Sequence, residues 1–401
     1  MSAPYRLAIV STHPIQYHAP WFRGLAAHPD LDIHVYFCHK ATPQEQARAG
    51  FGVEFDWDVD LLTGYPHSFL KNVANPSGHG RFGGFDTPEI GRIIRDGRYD
   101  AVLVNGWNYK SAWQAIWAAW QRGVKVFVRG DSHLHFHRSR PIRLTKLLAY
   151  RRFVPRFDAC LAPGTWAREY FEHYGARPER TFFVPHVIDV ARIETEAQRV
   201  RVQAARLRQK WGLCSDSIVF LFVGKFTQTK CPHDFVKAVH DAAKIENRIV
   251  GLMVGDGPLR AACEDFSRMH NAPVSFAGFL NQSQIVQAYA CSDVLVLPSA
   301  GETWGMVVNE AMACGLPCLV SDRVGSGPDL ISPGETGFTF PYGNVPALSA
   351  SMLRIAGNPA QLAAMGVNAN CRLRRYSLQV AVEGVMQALT ATVGAREEIC
   401  V

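Results

Sequence analysis

Short apolar runs alternate with segments of helical spacing along almost the whole chain. "RLAIVST" (6–12) is a β-branched run, "APWFRGLAAHP" (19–29) has helical spacing with a stop at His28-Pro29, and "LDIHVYFC" (31–38) reads as a second strand. The pattern continues through "YDAVLVNG", the helical "YKSAWQAIWAAWQRG", "VKVFVRG" and a helix over about Pro141–Phe153. It then gives "FDACLAPG", the helical "TWAREYFEHYG" ended by Gly175, and "TFFVPH". A charged helix expected to be exposed, over about Asp189–Trp211, separates this half from the next.

The alternation then restarts. "SIVFLFVG", "IVGLMVGDG", "VSFAGF", "DVLVLPS" and "PCLVSD" read as strands, with helices near Asp234–Ile245, Leu259–His270, Ser283–Ala290 and Gly305–Cys314, and two terminal helices. Continuous apolar strands separated by helices imply parallel sheets covered on both faces. The expected fold is α/β, with two Rossmann-like doubly wound domains facing across a cleft, since ligands bind beyond the carboxyl ends of such strands. The domains are expected at 1–190 and 191–375, with a C-terminal helix over 376–401 packing back on the first. A chain of 401 residues fits two domains better than one core.

Composition agrees: 48% hydrophobic and 19% charged residues describe a globular chain with real cores. Ten Cys follow no repeating spacing, and Cys314 and Cys318 lack a second pair for a zinc site, so reduced thiols in a cytoplasmic protein are expected. The first segment, "MSAPYRLAIVSTHP", has an apolar run too short for a signal peptide or a membrane span. Of the net charge of +7, six lie in the first half, where 25 Lys+Arg oppose 19 Asp+Glu. Between Asp131 and Asp158 stand seven basic residues and no acid. Such an excess suits a phosphorylated substrate, an anionic membrane surface or simple solubility. Nucleic acid is not expected as a partner, because no recognition motif accompanies the charge.

The candidate chemistry centres on "GETWGMVVNEAMACGLP" (301–317). Glu302 sits in a strand-to-helix loop where it can reach a neutral hydroxyl. Glu310 sits two turns into the helix that follows, where it can accept hydrogen bonds from a ribose diol. The helix start near Trp304, Gly305 and Met306 presents backbone N–H groups to an anion. In "VGKFTQTK", Lys225 and Lys230 follow the first strand of the second half, and two ammonium groups there suit a diphosphate. "VGDGPLR" reads as a tight strand-to-helix turn rather than a phosphate loop.

In order and spacing, "VGKFTQTK", "VGDGPL", "VSFAGFL", "CSDVLVLPSAGETWGMVVNEAMACGLPCLVSD" and "GETGFTF" resemble the C-terminal half of retaining glycosyltransferases of family 4. The likeness covers about 215–390 by motif and the first half by layout. It implies the GT-B fold, a nucleoside-diphosphate-sugar donor held by the second domain, and an acceptor held by the first. It implies that Lys225 and Lys230 grip the diphosphate and that Glu310 binds the ribose. Glu302 then contacts donor-sugar hydroxyls, backbone amides of Trp304, Gly305 and Met306 serve sugar and phosphate, and Gly278–Leu280 lies near the base. Within the catalytic set, His133 is matched to the polar group that approaches the reacting carbon, with Asp131 as the alternative.

Two positions depart from the family. Lys225 stands where Arg is common, and a lysine cannot make a bidentate fork to phosphate. "THPIQYHAP" (12–20) replaces a double glycine, so acceptor contacts are expected from His13, Gln16, Tyr17 and His18, or else a turn fixed by Pro14. The run of His133, His135 and His137 lacks a carboxylate pattern of known ligand spacing, so no metal and no cofactor are expected. Trp113, Trp117 and Trp120 share one helix face and are read as core.

The function expected is therefore metal-independent, retaining transfer of a sugar to a glycan, lipid-linked or small-molecule hydroxyl. Alternatives are a sugar-nucleotide epimerase of the same fold and a non-catalytic nucleotide-sugar-binding assembly protein. "RSRPIRLTKLLAYRRFVPRF" (138–157) sets Ile142, Leu144, Leu147 and Leu148 among basic residues. Either its apolar stripe packs on the sheet, or the helix lies on an anionic membrane at the inner face of the cell.

Overall fold

The computed structural model describes residues 3–47, 50, 52–136 and 139–395. Two parallel sheets carry it. The first has β1 (Tyr5–Ser11), β2 (Leu31–Phe37), β3 (His67–Phe69), β4 (Ala101–Asn105), β5 (Lys125–Arg129), β6 (Ala159–Ala162) and β7 (Thr181–Phe183), in the order β3-β2-β1-β4-β5-β6-β7. Alternation along each strand feeds two cores. Ala8 and Val10 of β1 and Val102 and Val104 of β4 enter one apolar cluster, while Leu7, Ile9, Ala101 and Leu103 enter another. Both faces are covered, which is why these strands read as unbroken apolar runs.

The second sheet has β8 (Ile218–Val223), β9 (Ile249–Val254), β10 (Val274–Gly278), β11 (Val294–Leu297), β12 (Cys318–Ser321) and β13 (Gly337–Phe340), in the order β10-β9-β8-β11-β12-β13. Every pairing in both sheets is parallel. Two of these strands escaped the sequence reading. β3 is three residues long, and β13 was quoted only within a motif.

The chain divides into one compact unit of residues 1–41, 60–187 and 376–401, and a second of 42–59 and 188–375. The first half is thus not continuous, since 42–59 belongs with the second sheet. The helix Leu378–Val393 belongs to the first unit and puts Ala381, Val385, Ala388 and Leu389 into the core beneath β1 and β6.

Three local expectations change. The separating helix is two helices, Val190–Arg201 and Ala204–Lys210, and the first buries Ile193 and Ala197. It starts where the Asp189 carboxylate accepts the Arg192 N–H at 3.1 Å. The helix Arg140–Phe153 buries no residue fully. Leu147 packs on the first unit's core, but Ile142, Leu144 and Leu148 remain exposed, so the stripe does not pack on the sheet as a whole. Of the three tryptophans, Trp113 and Trp120 pack on that core and Trp117 is exposed. Among the described residues no helix is long and apolar enough to cross a membrane.

Candidate active site

In the second sheet the chain runs outward in one direction from β8 to β10 and in the other from β11 to β13. The loops after β8 and β11 therefore flank the topological switch point, where open α/β sheets bind ligands. They are stitched together, the Ala300 N–H donating to the Thr229 carbonyl at 2.8 Å. Across this seam the Lys230 ammonium pairs with Glu302 Oε1, and both side chains are largely buried, 22% and 13% exposed. The Ser299 hydroxyl donates to the same carboxylate oxygen at 2.8 Å. The Glu302 backbone is fixed as well: its N–H donates to the Arg323 carbonyl at 3.0 Å, and its carbonyl accepts the Gly325 N–H at 3.1 Å. An ammonium has three N–H donors, and the contact with Glu302 occupies one of them.

The helix Met306–Ala313 starts from Gly305 in the left-handed region, φ 95°. A side chain there would meet Leu297 Cδ2 at 3.0 Å in addition to the strain of that backbone. Trp304 is buried, and its indole N–H donates to Asn309 Oδ1 at 2.8 Å. Its ring is thereby committed to the interior, in keeping with a contribution from this loop through backbone alone. Glu310 is only 2% exposed and accepts a hydrogen bond from the Tyr289 hydroxyl at 2.6 Å. A buried carboxylate is held by such a charge-assisted bond. Neither Tyr289 nor Ser299 was singled out by sequence. The available signal for Tyr289 was a phenol within the apolar stretch "IVQAYA", because a buried Tyr hydroxyl needs a partner.

Lys225 lies in the same loop as Lys230. Burial pushes its ammonium pKa down, Lys230 adds to that, and Glu302 opposes it. Gly255 and Gly257, at φ 130° and 147°, bring the next loop against this one. A side chain on Gly255 would fall 2.0 Å from the Gly224 carbonyl oxygen, and one on Gly257 would fall 2.9 Å from the Phe226 backbone. Leu280 stands half-buried in the loop after β10, beside Phe279.

The first unit holds the acceptor-side candidates. His13, Gln16 and Tyr17 lie half-buried in the turn after β1, with His13 Nδ1 3.0 Å from the Thr12 hydroxyl. Beside them is Arg129, which sequence reading missed together with its partners His186 and Trp21. Arg129, buried at the end of β5, donates to the Pro185 carbonyl at 3.1 Å, lies 3.2 Å from His186 Nδ1, and stacks over Trp21 at 4.6 Å. Asp131 Oδ2 lies 3.4 Å from His186 Nε2. Burial lowers the His18 pKa well below the ordinary value, with Arg129, His186 and His13 adding to it and Asp131 opposing. The signal was an arginine closing an otherwise apolar strand.

His133 is buried, 4.2 Å from the Phe136 ring in a stacked arrangement and 4.9 Å from Trp166, and its Nδ1 accepts the His135 N–H at 3.2 Å. Of the two alternatives it is Asp131 that shares the electrostatics of the turn after β1. His137 lies outside the described residues. Among the described residues no group of three or more His, Cys, Asp or Glu is arranged to hold a metal ion.

The model of the group 1 glycosyl transferases matches residues 203–372, and that of the glycosyl transferase 4-like domain matches 16–186. A D-inositol 3-phosphate glycosyltransferase of Streptomyces bingchenggensis is 28% identical over 222 residues, 52% of this chain and 47% of that protein. Sulfoquinovosyl transferase SQD2 of Arabidopsis thaliana is 39% identical over 151 residues, 37% of this chain and 28% of that one. The chain thus spans about half or less of the length of these curated relatives. Among solved structures, Anabaena Alr3699/HepE in complex with UDP superposes with a TM-score of 0.72 at 18% identity, covering 96% of this chain and 100% of that one. WaaG, a glycosyltransferase involved in lipopolysaccharide biosynthesis, gives 0.65 at 16% identity, covering 97% and 100%. At such identities the likeness establishes the fold, which is GT-B.

Proposed function

This chain belongs to the group 1 glycosyltransferases of the GT4 type, and on that premise we propose that it moves a sugar from a UDP-sugar to a hydroxyl acceptor with retention at the anomeric carbon. The observation that carries the reading is the buried Lys230–Glu302 pair at the switch point, beside the start of the helix Met306–Ala313. Uridine is chosen because the similar fold of HepE is described in complex with UDP. Lys225, Lys230 and the backbone N–H groups of Trp304, Gly305 and Met306 hold the diphosphate. Glu310 accepts the ribose hydroxyls, Glu302 the hydroxyls of the sugar, and Leu280 lies at the base. His13, Gln16 and Tyr17 bind the acceptor, which is a glycan, a lipid-linked molecule or a small molecule. The polar group nearest the reacting carbon is His133 or Asp131.

The bond from the anomeric carbon to the diphosphate breaks, and the acceptor oxygen bonds to the same face of that carbon. The acceptor proton passes to the departing phosphate oxygen. Negative charge grows on the diphosphate as this proceeds, and fixed cations aimed there lower the barrier. The lysines supply that field, so the reaction is proposed to need no metal. The enzyme is placed in the cytoplasm, peripheral to the inner face of the membrane.

Thermal-shift screening of UDP, GDP and ADP, followed by product analysis with the UDP-sugar in EDTA, tests the reading. Stabilisation by UDP and a product that requires an acceptor support it. A sugar altered without acceptor would identify an epimerase, and nucleotide binding with neither transfer nor hydrolysis would identify an assembly protein. Activity abolished by EDTA and restored by Mg²⁺ or Mn²⁺ would overturn metal independence.

A pH prediction follows from Lys225. Its pKa is lowered by burial and by Lys230, so its charge is present at low pH and lost at a lower pH than an ordinary lysine's. UDP affinity is therefore expected to fall on the alkaline side. Lys225→Arg keeps its charge throughout, so its alkaline limb moves to higher pH. Calorimetric affinities across pH check this, and identical limbs in both proteins would remove Lys225 from the diphosphate.

A further inference from the structure

Residues 42–59 lie in the second unit, while the chain on either side, 1–41 and 60–187, lies in the first. This excursion starts with the short helix Pro43–Gln46, closed by a capping box between Thr42 and Glu45. It then touches three successive loops of the second sheet. At Gly50 an added Cβ would stand 3.4 Å from Lys225 Cδ, after β8. At Gly52 it would stand 3.2 Å from the Gly257 backbone nitrogen, after β9. Phe55 meets Phe279, after β10, with ring centroids 4.5 Å apart. The Asn281 amide donates to the Asp56 carbonyl at 2.7 Å, and both the N–H of Ser283, at 3.1 Å, and its side-chain hydroxyl donate to the Asp58 carboxylate. The strap is thus laid across the carboxyl ends of β8, β9 and β10 in sheet order, over the mouth where such sheets take their ligand.

Its sequence is suited to that position. Val53, Phe55, Trp57 and Val59 are half-buried, and the acids between them, Glu54, Asp56 and Asp58, are exposed. A period of two keeps Glu54 and Asp56 at the surface, leaves Asp58 to fasten on Ser283, and turns the neutral side chains toward the sheet. An acidic strap facing the other way would repel a diphosphate held by Lys225. Glycine at 50 and 52, at φ 96° and 76°, lets the backbone lie close over Lys225 and the Asp256–Gly257 turn.

We propose that this strap is a wall of the donor site, with Phe55 as the residue against which the nucleoside end of the donor packs. The proposal rests on the donor reading above and adds a specificity-determining segment drawn from the first half of the chain. Phe55, packed on Phe279 and edge-on to Trp57, meets a base or ribose, while Gly50 and Gly52 lie beside the Lys225 and Gly257 loops. Affinity for nucleoside and affinity for pyrophosphate are then set by different parts of one strap.

Calorimetry of the full chain with UDP and with pyrophosphate, for native protein and Phe55→Ala, tests this. Loss of a base–aromatic contact corresponds to about five- to hundred-fold. UDP affinity is expected to fall within that range while pyrophosphate affinity holds within about two-fold, and Phe55→Tyr is expected to restore UDP binding. Ser283→Ala, which unfastens the strap without touching a ring, is expected to weaken UDP in the same direction and serves if Phe55→Ala does not fold. Unchanged UDP affinity with a lowered melting temperature would make the strap structural and overturn the proposal. Tighter UDP binding would make it a plug and also overturn it. Those outcomes leave the donor reading intact, whereas a native chain that binds none of UDP, ADP or GDP defeats both.

Discussion

Lys230→Ala is expected to lower turnover at saturating donor by about 10²–10³-fold, the usual effect of removing one fixed donor from a developing anion. The effect falls on turnover more than on donor affinity, because the charge it meets grows as the glycosidic bond breaks. Lys225 leaves part of the field in place, with its own pKa lowered by burial. The variant also strips Glu302 of its cation in a site where both side chains are largely buried. Breaking a buried pair from one side costs up to about 3–5 kcal/mol, so lost activity alone is ambiguous. Glu302→Gln combined with Lys230→Ala separates the two causes, since the neutral amide no longer needs the ammonium. The double variant is expected to regain melting temperature without regaining turnover. Wild-type turnover in Lys230→Ala, or recovery in the double variant, would show that the lysine only steadies the loop.

What the sequence made legible follows the range of its signals. Apolar runs and helical spacing are local, so most strands and helices, and the places of Lys225, Lys230, Glu302 and Glu310 at strand ends or in the helix after β11, could be read directly. The partners of those residues were not local. Ser299 and Lys230 meet on one Glu302 oxygen, and Tyr289 reaches Glu310, through the packing of separate strands and helices. Arg129 offered a signal in its strand, but its contacts with His186 and Trp21 depend on β7 and the first helix. "VEFDWDVD" carries the two-residue period of a strand, yet no sheet strand is formed there. Its apolar side covers loops of the second sheet, in the same unit, which no periodicity can announce. β3 is short enough that its three residues hold no pattern at all. The mostly exposed helix Arg140–Phe153 shows the same limit, because spacing marks an apolar stripe without saying what covers it.

That helix carries the second large prediction. Leu144 and Leu148, 58% and 64% exposed, stand one turn apart, with Arg140 and Arg152 one turn beyond them at either end. Arg151 is also exposed, while Leu147 holds the helix to the core and Lys146 sits 4.8 Å over the Tyr150 and Tyr170 rings. A fixed helix with exposed leucines between arginines suits the boundary of an anionic bilayer, with leucines among the acyl chains and guanidinium groups among the phosphates. A solvated helix gains nothing from exposed leucines at these positions. Each basic residue near such a surface contributes about 1 kcal/mol, so Arg151→Glu with Arg152→Glu is expected to reduce vesicle binding by about 10²-fold or more. Sedimentation with vesicles of phosphatidylglycerol and phosphatidylcholine measures it, at low and at high salt. The native chain is expected to bind at low salt and to be released by high salt, because a Debye length shorter than the approach distance screens the attraction. Leu144→Ser with Leu148→Ser is expected to weaken binding at both salt concentrations, which distinguishes insertion from adsorption. A native chain that stays in the supernatant at low salt would remove the membrane from the proposal and leave an acceptor taken from solution.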